Sequence, residues 1–463
     1  MKRPGAIALA ALCLVGLLGA TVAAAEAARP NVVFILADDL GYMDVGADNP
    51  QSFYETPNID GLAARGMRFT QGYAACPVCS PTRASIMTGK YPPRTGITDF
   101  IGGNRQARLK PAPNQDHLAL EEVTIAERFR DAGYATFFAG KWHLGDGDYS
   151  PNAQGFGPGL KGRFSYYPPS DVPPPKPRDD PKATDRIANE AIRFIAAHPD
   201  QPFFAYLSFQ AVHVPIQAAP QLVEKYQQKS ASAPADAWGS ERAQQVRLVQ
   251  NQPVYAAMLQ QMDDAIGRVV EALERAGVAE RTIIVFTSDN GGLSTAEGHP
   301  TSNLPLRGGK GWPYEGGIRT PWIIAAPGVT PPGSDCEAPV ITTDLYPTLL
   351  ELAGLPLAPA QHVDGVSLVA ALKGGELSRA APLFWHYPHY GNQGGAPCSA
   401  VRDGDWKLIE WFEDGSLELF NLRDDAGELH SLAAENPDKT QALHAKLVAW
   451  RADVQALMPT PSP

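Results

Sequence analysis

The sequence predicts an α/β protein with a large, mostly parallel or mixed sheet flanked by helices, followed by a smaller antiparallel sheet with a helix. Apolar, β-branched runs alternate with helical patterns along most of the chain. The chain has 463 residues, of which 44% are hydrophobic, so a large packed core is expected. After about residue 380 the pattern changes to short strands around turns. We therefore expect a main domain over residues 29–375 and a C-terminal subdomain over residues 380–463.

The first 25 residues are typical of a secretory signal peptide. Lys2 and Arg3 precede an apolar run over residues 6–22, and three alanines follow it. A membrane anchor is the alternative, but the run is short and rich in alanine and glycine. The sequence therefore predicts a secreted or periplasmic protein without a stable membrane anchor.

Four apolar runs in the main domain predict buried strands. They lie at residues 31–37, 135–139, 202–209 and 282–287, with helices expected at 124–131, 184–197 and 254–276. Each run is followed by ionisable or metal-ligating side chains, which are Asp38 and Asp39, Lys141 and His143, His213, and Asp289 and Asn290. One such strand end would be explained by a turn, but sites in open α/β sheets form where the carboxyl ends of strands meet. We therefore expect these side chains to share one site.

Cys79 stands at the start of a short predicted helix. Ser80 suits the N-cap, Pro81 the first helical position and Gly89 the end. Arg83 lies one turn further on, and its fork of donors suits a tetrahedral oxyanion. For a lone cysteine, a buried structural role is the alternative.

Other parts of the chain predict loops and the C-terminal subdomain. Residues 145–180, rich in proline, glycine and tyrosine, predict a long loop, and residues 227–236 predict a flexible one. The C-terminal subdomain is expected to contain strands at 398–401, 406–409 and 417–420 and a helix at about 438–457.

The charge balance bears on the class of partner. A formal net charge of -11 argues against a nucleic-acid partner, which would require a basic surface. It also argues at first against an anionic substrate. Net charge says little about one pocket, however, and the residues identified below would form a cationic one.

A longer motif around Cys79 resembles the signature of the type I, formylglycine-dependent sulfatases of the alkaline phosphatase superfamily. Cys-x-Pro-x-Arg at residues 79–83 is followed by Ala-Ser-Ile-Met-Thr-Gly, with Thr82 where serine is commoner. The resemblance covers nearly the whole chain after the signal peptide, including residues 29–41, 140–145, 289–292, 306–310, 315–319 and 418–422. It implies the alkaline phosphatase-like fold and the hydrolysis of sulfate esters.

The resemblance also implies a cofactor set. A formylglycine-generating maturation enzyme would oxidise Cys79 to formylglycine (3-oxoalanine), whose hydrate supplies the nucleophile and a second hydroxyl that releases the sulfate. One Ca²⁺ would be bound by Asp38, Asp39, Asp289 and Asn290 and by the modified Cys79. Oxygen ligands suit a hard divalent cation, and the ligand types leave Mg²⁺ open. Loss of the Cys79 thiol leaves Cys76, Cys336 and Cys398, which allow at most one intramolecular disulfide.

The remaining roles come from the same resemblance. Arg83, Lys141 and Lys310 would stabilise charge on the sulfate oxygens. His213, with Lys310, would give a proton to the departing alcohol, and His143 would take one from the remaining hydroxyl.

The substrate is expected to be a sulfated carbohydrate or an aryl sulfate ester, because similar segments occur in bacterial carbohydrate sulfatases and arylsulfatases. A galactose or N-acetylgalactosamine unit is favoured. Candidate sugar contacts are Trp312, Arg319, His386 and His389, for which packing between the subdomains is the alternative. Two other functions compete, namely a phosphodiesterase or phosphonate monoester hydrolase of the same superfamily and a non-catalytic protein that binds sulfated glycans.

Overall fold

The computed structural model describes residues 29–162 and 165–462. The predicted signal peptide lies outside these residues. Within them, no helix combines the length and apolar character that a bilayer crossing requires.

The strands and helices that the sequence predicts are present with similar bounds, and the structure adds further elements. The strands are β1 (Asn31–Ala37), β2 (Met67–Phe69), β3 (Gly72–Tyr73), β4 (Leu109–Lys110), β5 (Ala135–Gly140), β6 (Leu160–Lys161), β7 (Tyr166–Tyr167), β8 (Phe203–Ser208), β9 (Trp238–Glu241), β10 (Gln244–Arg247), β11 (Thr282–Ser288), β12 (Trp322–Ala325), β13 (Ser334–Cys336), β14 (Val340–Ile341), β15 (Leu383–Tyr387), β16 (Cys398–Asp403), β17 (Trp406–Trp411), β18 (Leu417–Asn421) and β19 (Thr460–Pro461). The helices are α1 (Pro57–Arg65), α2 (Cys79–Thr88), α3 (Pro92–Thr95), α4 (Ile125–Asp131), α5 (Thr184–Ala197), α6 (Pro220–Ser230), α7 (Pro253–Arg275), α8 (Glu315–Ile318), α9 (Leu345–Leu352), α10 (Val369–Leu372) and α11 (Pro437–Asp453).

In the described part of the chain, the central sheet has nine strands in the order β13-β2-β12-β11-β1-β8-β5-β7-β6. The four predicted strands β11, β1, β8 and β5 are parallel neighbours at its centre. The pairing of β12 with β11 is antiparallel, which makes the sheet mixed. The predicted α/β class is therefore confirmed.

The sheet is covered by helices on both faces, which explains why its central strands are apolar on both sides. Alternate residues of β1 point to opposite faces, so Val33 packs in the cluster that contains α5 and α7. Phe34 packs in the other cluster, with side chains of α2, α4 and α9. This packing fixes the carboxyl ends of the central strands along one edge.

The C-terminal sheet has the order β15-β16-β17-β18 and is antiparallel, and α11 packs against β16 and β17. This confirms the predicted small sheet with a helix, with β15 added to the three expected strands. Its core also contains Tyr73 and Trp312, which come from earlier in the chain. The domain boundary expected between residues 375 and 380 stays a prediction.

Three local predictions differ from the structure. Helix α2 begins at Cys79 with Val78 as its N-cap, and Ser80 Oγ instead accepts a hydrogen bond from Ile101 N–H (3.1 Å). Residues 227–230 belong to α6, because Tyr226 and neighbouring apolar side chains of that helix pack on the core. The predicted loop 145–180 contains β6 and β7, which extend the central sheet beyond β5.

The end of α2 agrees with the prediction. Gly89 is its C-cap in the left-handed conformation (φ 69°), which favours glycine, and its N–H donates to Ser85 O. The four cysteines in the described residues, Cys76, Cys79, Cys336 and Cys398, are all free.

Candidate active site

The structure brings the predicted strand ends together at the carboxyl edge of the central sheet. Asp38 and Asp39 follow β1, and the backbone N–H of Asp39 donates to Asp289 Oδ1 (3.1 Å) just beyond β11. The segment after β8 is joined to the same place, because Asp38 N–H donates to Ala211 O and Val212 N–H donates to Asp38 O. Three strands therefore position these side chains through their own backbones.

Arg83 projects from the fully buried helix α2 into this cluster. Its Nε and one terminal nitrogen donate to Asp289 Oδ2 at 2.8 and 2.6 Å. Its other terminal nitrogen donates to Ser208 Oγ (2.7 Å) and Lys141 O (2.8 Å). The guanidinium thus holds Asp289 through two hydrogen bonds to one carboxylate oxygen and joins the ends of β5 and β8 to it.

Two lysines compensate the adjacent carboxylates after β1. Lys141 Nζ lies 2.7 and 3.0 Å from the two oxygens of Asp38. Lys310 Nζ lies 2.8 Å from Asp39 Oδ2. All four side chains are largely withdrawn from solvent, so removing one partner of either pair would leave a buried charge without compensation.

Burial and charge act in opposite directions on the pKa values of these carboxyl groups. Burial alone would raise the pKa of Asp38, but the charges led by Lys141 hold it well below its usual range. Burial would likewise raise the pKa of Asp39, but Lys310 and its neighbours lower it. For Asp289, burial outweighs the charge of Arg83 and raises the pKa to about 6. Two carboxylates with lowered pKa values therefore lie beside a third whose pKa is raised by burial.

Cys79 lies against His143. Its Sγ is 3.3 Å from His143 Nδ1, and His143 Nε2 is 3.2 Å from Ile101 O. A carbonyl oxygen only accepts, so Nε2 carries the proton and Nδ1 faces Cys79 as an acceptor. Burial, followed by the charge of Lys141, lowers the pKa of His143 well below its usual value, so the imidazole is neutral. The arrangement suits acceptance of a proton from a group at Cys79.

His213 approaches the cluster from the segment after β8. Its Nδ1 donates to Val214 O (2.6 Å), which leaves Nε2 directed towards Asp39 Oδ2 at 3.7 Å. Burial lowers the pKa of His213, although the charge of Asp39 opposes this shift. An anion bound nearby would raise that pKa and favour the imidazolium.

The oxygen atoms of this cluster fit a divalent cation. Ligand atoms of Asp38, Asp39 and His213 lie within 4.8 Å of one another. Asn290 Nδ2 donates to Asp39 Oδ1 (2.8 Å), whereas its buried Oδ1 has no hydrogen-bond partner among the described residues. A buried amide oxygen beside ionised carboxylates is what a hard cation requires. His213 was expected to be a proton donor, and a nitrogen ligand suits Ca²⁺ less well than these oxygens.

Backbone conformation also marks the site. Asp39 (φ 65°) and His143 (φ 57°) both lie in the left-handed region, which is unfavourable for residues other than glycine. Such conformations persist where the surrounding contacts determine them, and they concentrate at functional sites. Here Asp39 is held by its contacts with Asp289 and Lys310, and His143 by its contacts with Cys79 and Ile101 O.

The four predicted sugar contacts have packing partners of their own. Trp312 is fully buried, and its indole N–H donates to Gln393 O (3.0 Å). The ring nitrogens of His386 contact Ser399 Oγ and Leu457 O. His389 Nε2 lies 2.8 Å from Thr98 Oγ1. Arg319 Nε donates to Thr70 O. None of them has a hydrogen bond or ion pair to the strand-end cluster in the described residues. These contacts are those that the packing alternative expects, and a role of the four residues in sugar binding stays a prediction.

Two residues of the site were not identified from the sequence. Ser208 ends β8 and accepts from Arg83, and its position at a strand end was a signal that could have found it. Lys182 donates from Nζ to His213 O (2.7 Å) and is only 7% exposed. Lys182 does not follow a predicted strand and is not part of any motif identified above, so the sequence did not indicate its role.

The α/β fold and the charged cluster at its strand ends are typical of enzymes that act on esters of tetrahedral oxyanions. The family model described as Sulfatase matches residues 30–355, and the model for the C-terminal part of N-sulphoglucosamine sulphohydrolase matches residues 309–453. The chain belongs to the sulfatase family of the alkaline phosphatase superfamily, and the protein is a sulfatase.

Individual relatives agree with this family over nearly the whole chain. A sulfatase from Formosa agariphila is 32% identical over 537 aligned residues, which cover 97% of this chain and 94% of the relative. Arylsulfatase A of Homo sapiens is 33% identical over 459 residues, covering 91% of this chain and 82% of the relative. The crystal structure of Ps i-CgsB in complex with k-i-k-neocarrahexaose has a TM-score of 0.73 and 28% identity, covering 91% of this chain and 92% of that chain.

Proposed function

We propose that the protein hydrolyses sulfate esters of a carbohydrate, with Cys79 converted to formylglycine and one Ca²⁺ held by the strand-end oxygens. The observation that carries this proposal is the position of Cys79. The motif cysteine lies 3.3 Å from the acceptor nitrogen of the neutral His143, and the charges of Lys141 and Lys310 act on it. In this structure the sulfur stands where an oxygen of the formylglycine hydrate would lie.

The proposed metal ligands are Asp38, Asp39, Asp289 and Asn290, together with the modified side chain of Cys79. When bound, the cation would supply positive charge to the nucleophile and to the sulfate oxygens. Asn290 Oδ1, which is buried and has no hydrogen-bond partner among the described residues, supports this assignment, as does its position beside the carboxylate of Asp39. Mg²⁺ could satisfy the same oxygen ligands.

The basic side chains divide into two groups by their contacts. Lys141 and Lys310 each have a terminal ammonium group with donors beyond those used on Asp38 and Asp39, and they would bind the sulfate oxygens. Arg83 uses most of its donors on the Asp289 carboxylate, on Ser208 Oγ and on Lys141 O. We propose that Arg83 adds positive charge beneath the sulfate and fixes Asp289.

The two histidines would handle protons on opposite sides of the reaction. His143 Nδ1 is an acceptor beside Cys79, so it suits removal of a proton from the nucleophilic side chain. His213 Nε2 faces the cluster and would become protonated when a sulfate ester binds, because the ester is an anion. It would then donate to the alcohol that leaves, with Lys310 as its neighbour.

A carbohydrate substrate is supported by the solved relative that is in complex with k-i-k-neocarrahexaose. An aryl sulfate is supported by the human relative named arylsulfatase A. We propose a galactose or N-acetylgalactosamine sulfate as the substrate and an aryl sulfate as a useful assay substrate. The segment 1–25 supports export to the periplasm or the exterior.

The proposal is tested with full-length protein produced together with a formylglycine-generating enzyme. Mass spectrometry of the tryptic peptide that ends at Arg83 should find an aldehyde at Cys79. Free sulfate should be released from 4-nitrophenyl sulfate and from at least one member of a panel of defined sulfated saccharides, and C79A should release none.

Three results would contradict the proposal. An unmodified thiol in fully active protein would exclude the formylglycine mechanism. A strong preference for an aryl phosphodiester over 4-nitrophenyl sulfate would favour the phosphodiesterase alternative. Binding of sulfated saccharides without sulfate release at any concentration would indicate a non-catalytic protein.

A further inference from the structure

Lys182 is a buried cation beside the catalytic cluster that the proposed mechanism does not use. Its ammonium group donates to the backbone carbonyl of His213 at 2.7 Å, and the residue is 7% exposed. Among the described residues this is the one hydrogen bond that the carbonyl of His213 accepts and the one that the ammonium donates. A lysine with a single neutral partner is costly to bury, so a role in positioning His213 would explain its place.

The turn that carries Lys182 is held rigidly. Asp180 accepts from the backbone N–H groups of Asp185 (3.0 Å) and Arg186 (2.9 Å) at the start of α5. Gln261 of α7 donates to Asp179 O (2.9 Å) on one side of Lys182 and to Asp185 Oδ2 (2.9 Å) on the other. Both ends of this short turn are therefore fixed to helices.

The same glutamine also fixes the chain that follows His213. Gln261 Oε1 accepts from Ala219 N–H (3.1 Å), so one side chain of α7 ties both segments together. On the other side of His213, the N–H of Val212 donates to Asp38 O (2.7 Å). The carbonyl of His213 lies between these two anchored points, and Lys182 is the group that holds it.

The direction of the imidazole depends on this backbone. His213 Nδ1 donates to Val214 O (2.6 Å), one peptide beyond the carbonyl that Lys182 holds, so a shift of the backbone at His213 would change the position of the ring relative to its partner. Nε2 would then lose its direction towards Asp39. Proton donors in enzymes tolerate little displacement, because transfer requires a distance near that of a hydrogen bond.

We propose that Lys182 is a positioning residue that holds His213 for proton transfer to the leaving alcohol, an inference that rests on the proposed acid role of His213. It acts through the backbone of His213 and does not touch the substrate. Substitution of Lys182 should therefore reproduce the kinetic defect of a His213 variant. Combined with a substitution of His213, it should cause no additional loss.

The experiment compares two substrates that differ in their need for an acid. Phenyl sulfate has the poorer leaving group and 4-nitrophenyl sulfate the better one, so loss of an acid harms the first more. We expect K182M and H213A each to lose at least about tenfold more kcat on phenyl sulfate than on 4-nitrophenyl sulfate. The double variant K182M/H213A should be no worse than H213A.

Two further variants separate positioning from a general loss of folding. K182R keeps a charged donor and should recover kcat on phenyl sulfate to within about threefold of the unmodified enzyme. K182Q keeps a neutral donor and should recover part of it, which also serves if K182M does not fold. The matched control is K229M, because Lys229 Nζ also donates to a backbone carbonyl (Phe53 O, 2.7 Å) and no residue of the active site is involved. K229M should leave both rates unchanged.

The outcomes distinguish the inference from the function on which it rests. Suppose that H213A loses more kcat on phenyl sulfate than on 4-nitrophenyl sulfate, whereas K182M loses equal kcat on both. The positioning role of Lys182 is then wrong and the proposed function stands. The positioning role would also be wrong if the loss of kcat in K182M/H213A equalled the product of the two single losses. A rise in KM without a change in kcat in K182M would contradict it as well. If H213A itself loses equally on both substrates, the acid role fails and the inference fails with it.

Discussion

Buried charges at the active site are held in pairs, and Arg83 with Asp289 is the most enclosed of them. Both side chains are almost completely buried, and the guanidinium donates twice to one carboxylate oxygen. Removing one partner of a buried pair leaves the other charge without compensation, which costs much more than losing the attraction between them.

Arg83→Met should therefore destabilise the protein strongly. We expect the free energy of unfolding in urea to fall by about 3–5 kcal/mol in metal-free protein. The matched control is Arg65→Met, because Arg65 forms an ion pair of similar length with Glu274 (2.8 Å) at the surface. That variant should change the free energy by less than about 1 kcal/mol. Similar losses in the two variants would show that burial does not govern the strength of the Arg83 pair.

Asp99 is a buried carboxyl group without a charged partner among the residues that the structure describes. Its Oδ1 accepts from Phe100 N–H and Tyr387 Oη–H, and His389 Nδ1 is 3.9 Å from Oδ2. Burial lowers the pKa of His389 to about 3, so the imidazole is neutral and the two residues do not form an ion pair near neutral pH. Burial raises the pKa of Asp99 to about 7.

This shift predicts a pH dependence of stability. Between the pKa of the unfolded state, about 4, and that of the folded state, about 7, the folded protein binds the extra proton. Stability contributed by Asp99 is therefore present at low pH and is lost as pH rises through this window, by up to roughly 1.4 kcal/mol per unit. Asp99→Asn keeps the acceptor oxygen and removes the ionisation. The stability of the variant minus that of the unmodified protein should therefore be larger at pH 8 than at pH 5.

The measurement is the difference in thermal midpoint between the variant and the unmodified protein across this pH range. Asp131→Asn, at an exposed surface position, serves as the control and should give a flat difference. A flat difference for Asp99→Asn as well would mean that Asp99 is ionised in the folded protein already at pH 5.

At the scale of elements, a second buried ion network joins the C-terminal sheet to the part of the chain that carries Lys310. Lys407 on β17 lies 3.0 Å from Glu315 on α8 and 2.8 Å from Glu428, the latter as an ion pair without hydrogen-bond alignment. Glu428 Oε2 also accepts from Glu315 N–H (2.6 Å). Burial raises the pKa of Glu428 to about 7, whereas Lys407 and its neighbours overcome burial and lower the pKa of Glu315.

Lys407→Met should leave two buried carboxylates without their cation and reduce the free energy of unfolding by about 3–5 kcal/mol. The double variant K407M/E428Q should recover part of this loss, because the amide is neutral and its oxygen still accepts from Glu315 N–H. Lys446→Met removes an exposed pair with Asp403 on the adjacent strand and should cost less than about 1 kcal/mol. The network interpretation fails if the double variant is less stable than the single one.

The elements that the sequence predicted well are those whose environment is uniform along their length. Strand β1 is buried at every residue and is therefore apolar at every residue, so its pattern is unambiguous. Helix α6 was mistaken for loop over residues 227–230, because its exposed face is rich in glutamine and lysine and only one side packs on the core. When only one face of a polar segment packs on the core, the composition of that segment does not indicate the packing.

The same distinction holds within the site. Asp38, Asp39, Asp289 and Lys141 were found because they follow strands, and the topology of a parallel sheet brings strand ends together. Trp312 and His386 were ambiguous, because aromatic and imidazole groups suit both a sugar and a core, and the structure places them in packing contacts. Lys182 could not be found, since its significance depends on a backbone carbonyl 31 positions away.

At the scale of the whole molecule, the net charge of -11 and the proposed anionic substrate are compatible. Three basic side chains, Arg83, Lys141 and Lys310, form ion pairs with Asp289, Asp38 and Asp39 in the same pocket. A divalent cation would make this pocket positive overall, while the acidic residues elsewhere set the charge of the whole chain. Local composition of the pocket thus decides which ligand binds.

Calcium should therefore stabilise the folded protein as well as activate it. The proposed ligands come from the ends of β1 and β11, so the ion would join two strands that unfolding separates. A ligand that binds only the folded state stabilises it by about 2.7 kcal/mol at a concentration of 100 times its Kd. Protein treated with a chelator should release no sulfate from 4-nitrophenyl sulfate, and added Ca²⁺ should restore the rate and raise the thermal midpoint.

Two variants show whether the strand-end oxygens are the ligands. Asn290→Ala removes the buried amide oxygen that lacks a protein partner, so the rise of the thermal midpoint should require at least about tenfold more Ca²⁺. Asp263→Asn alters a buried carboxyl group that accepts from Asn58 and Ile59 N–H groups far along the chain, and it should keep the unmodified Ca²⁺ response even though its midpoint falls. A Ca²⁺ response that is unchanged in Asn290→Ala, or equally weakened in both variants, would place the ion elsewhere. The variants are compared at equal conversion of Cys79, because its modified side chain is one of the proposed ligands, and the readout is stability and not turnover.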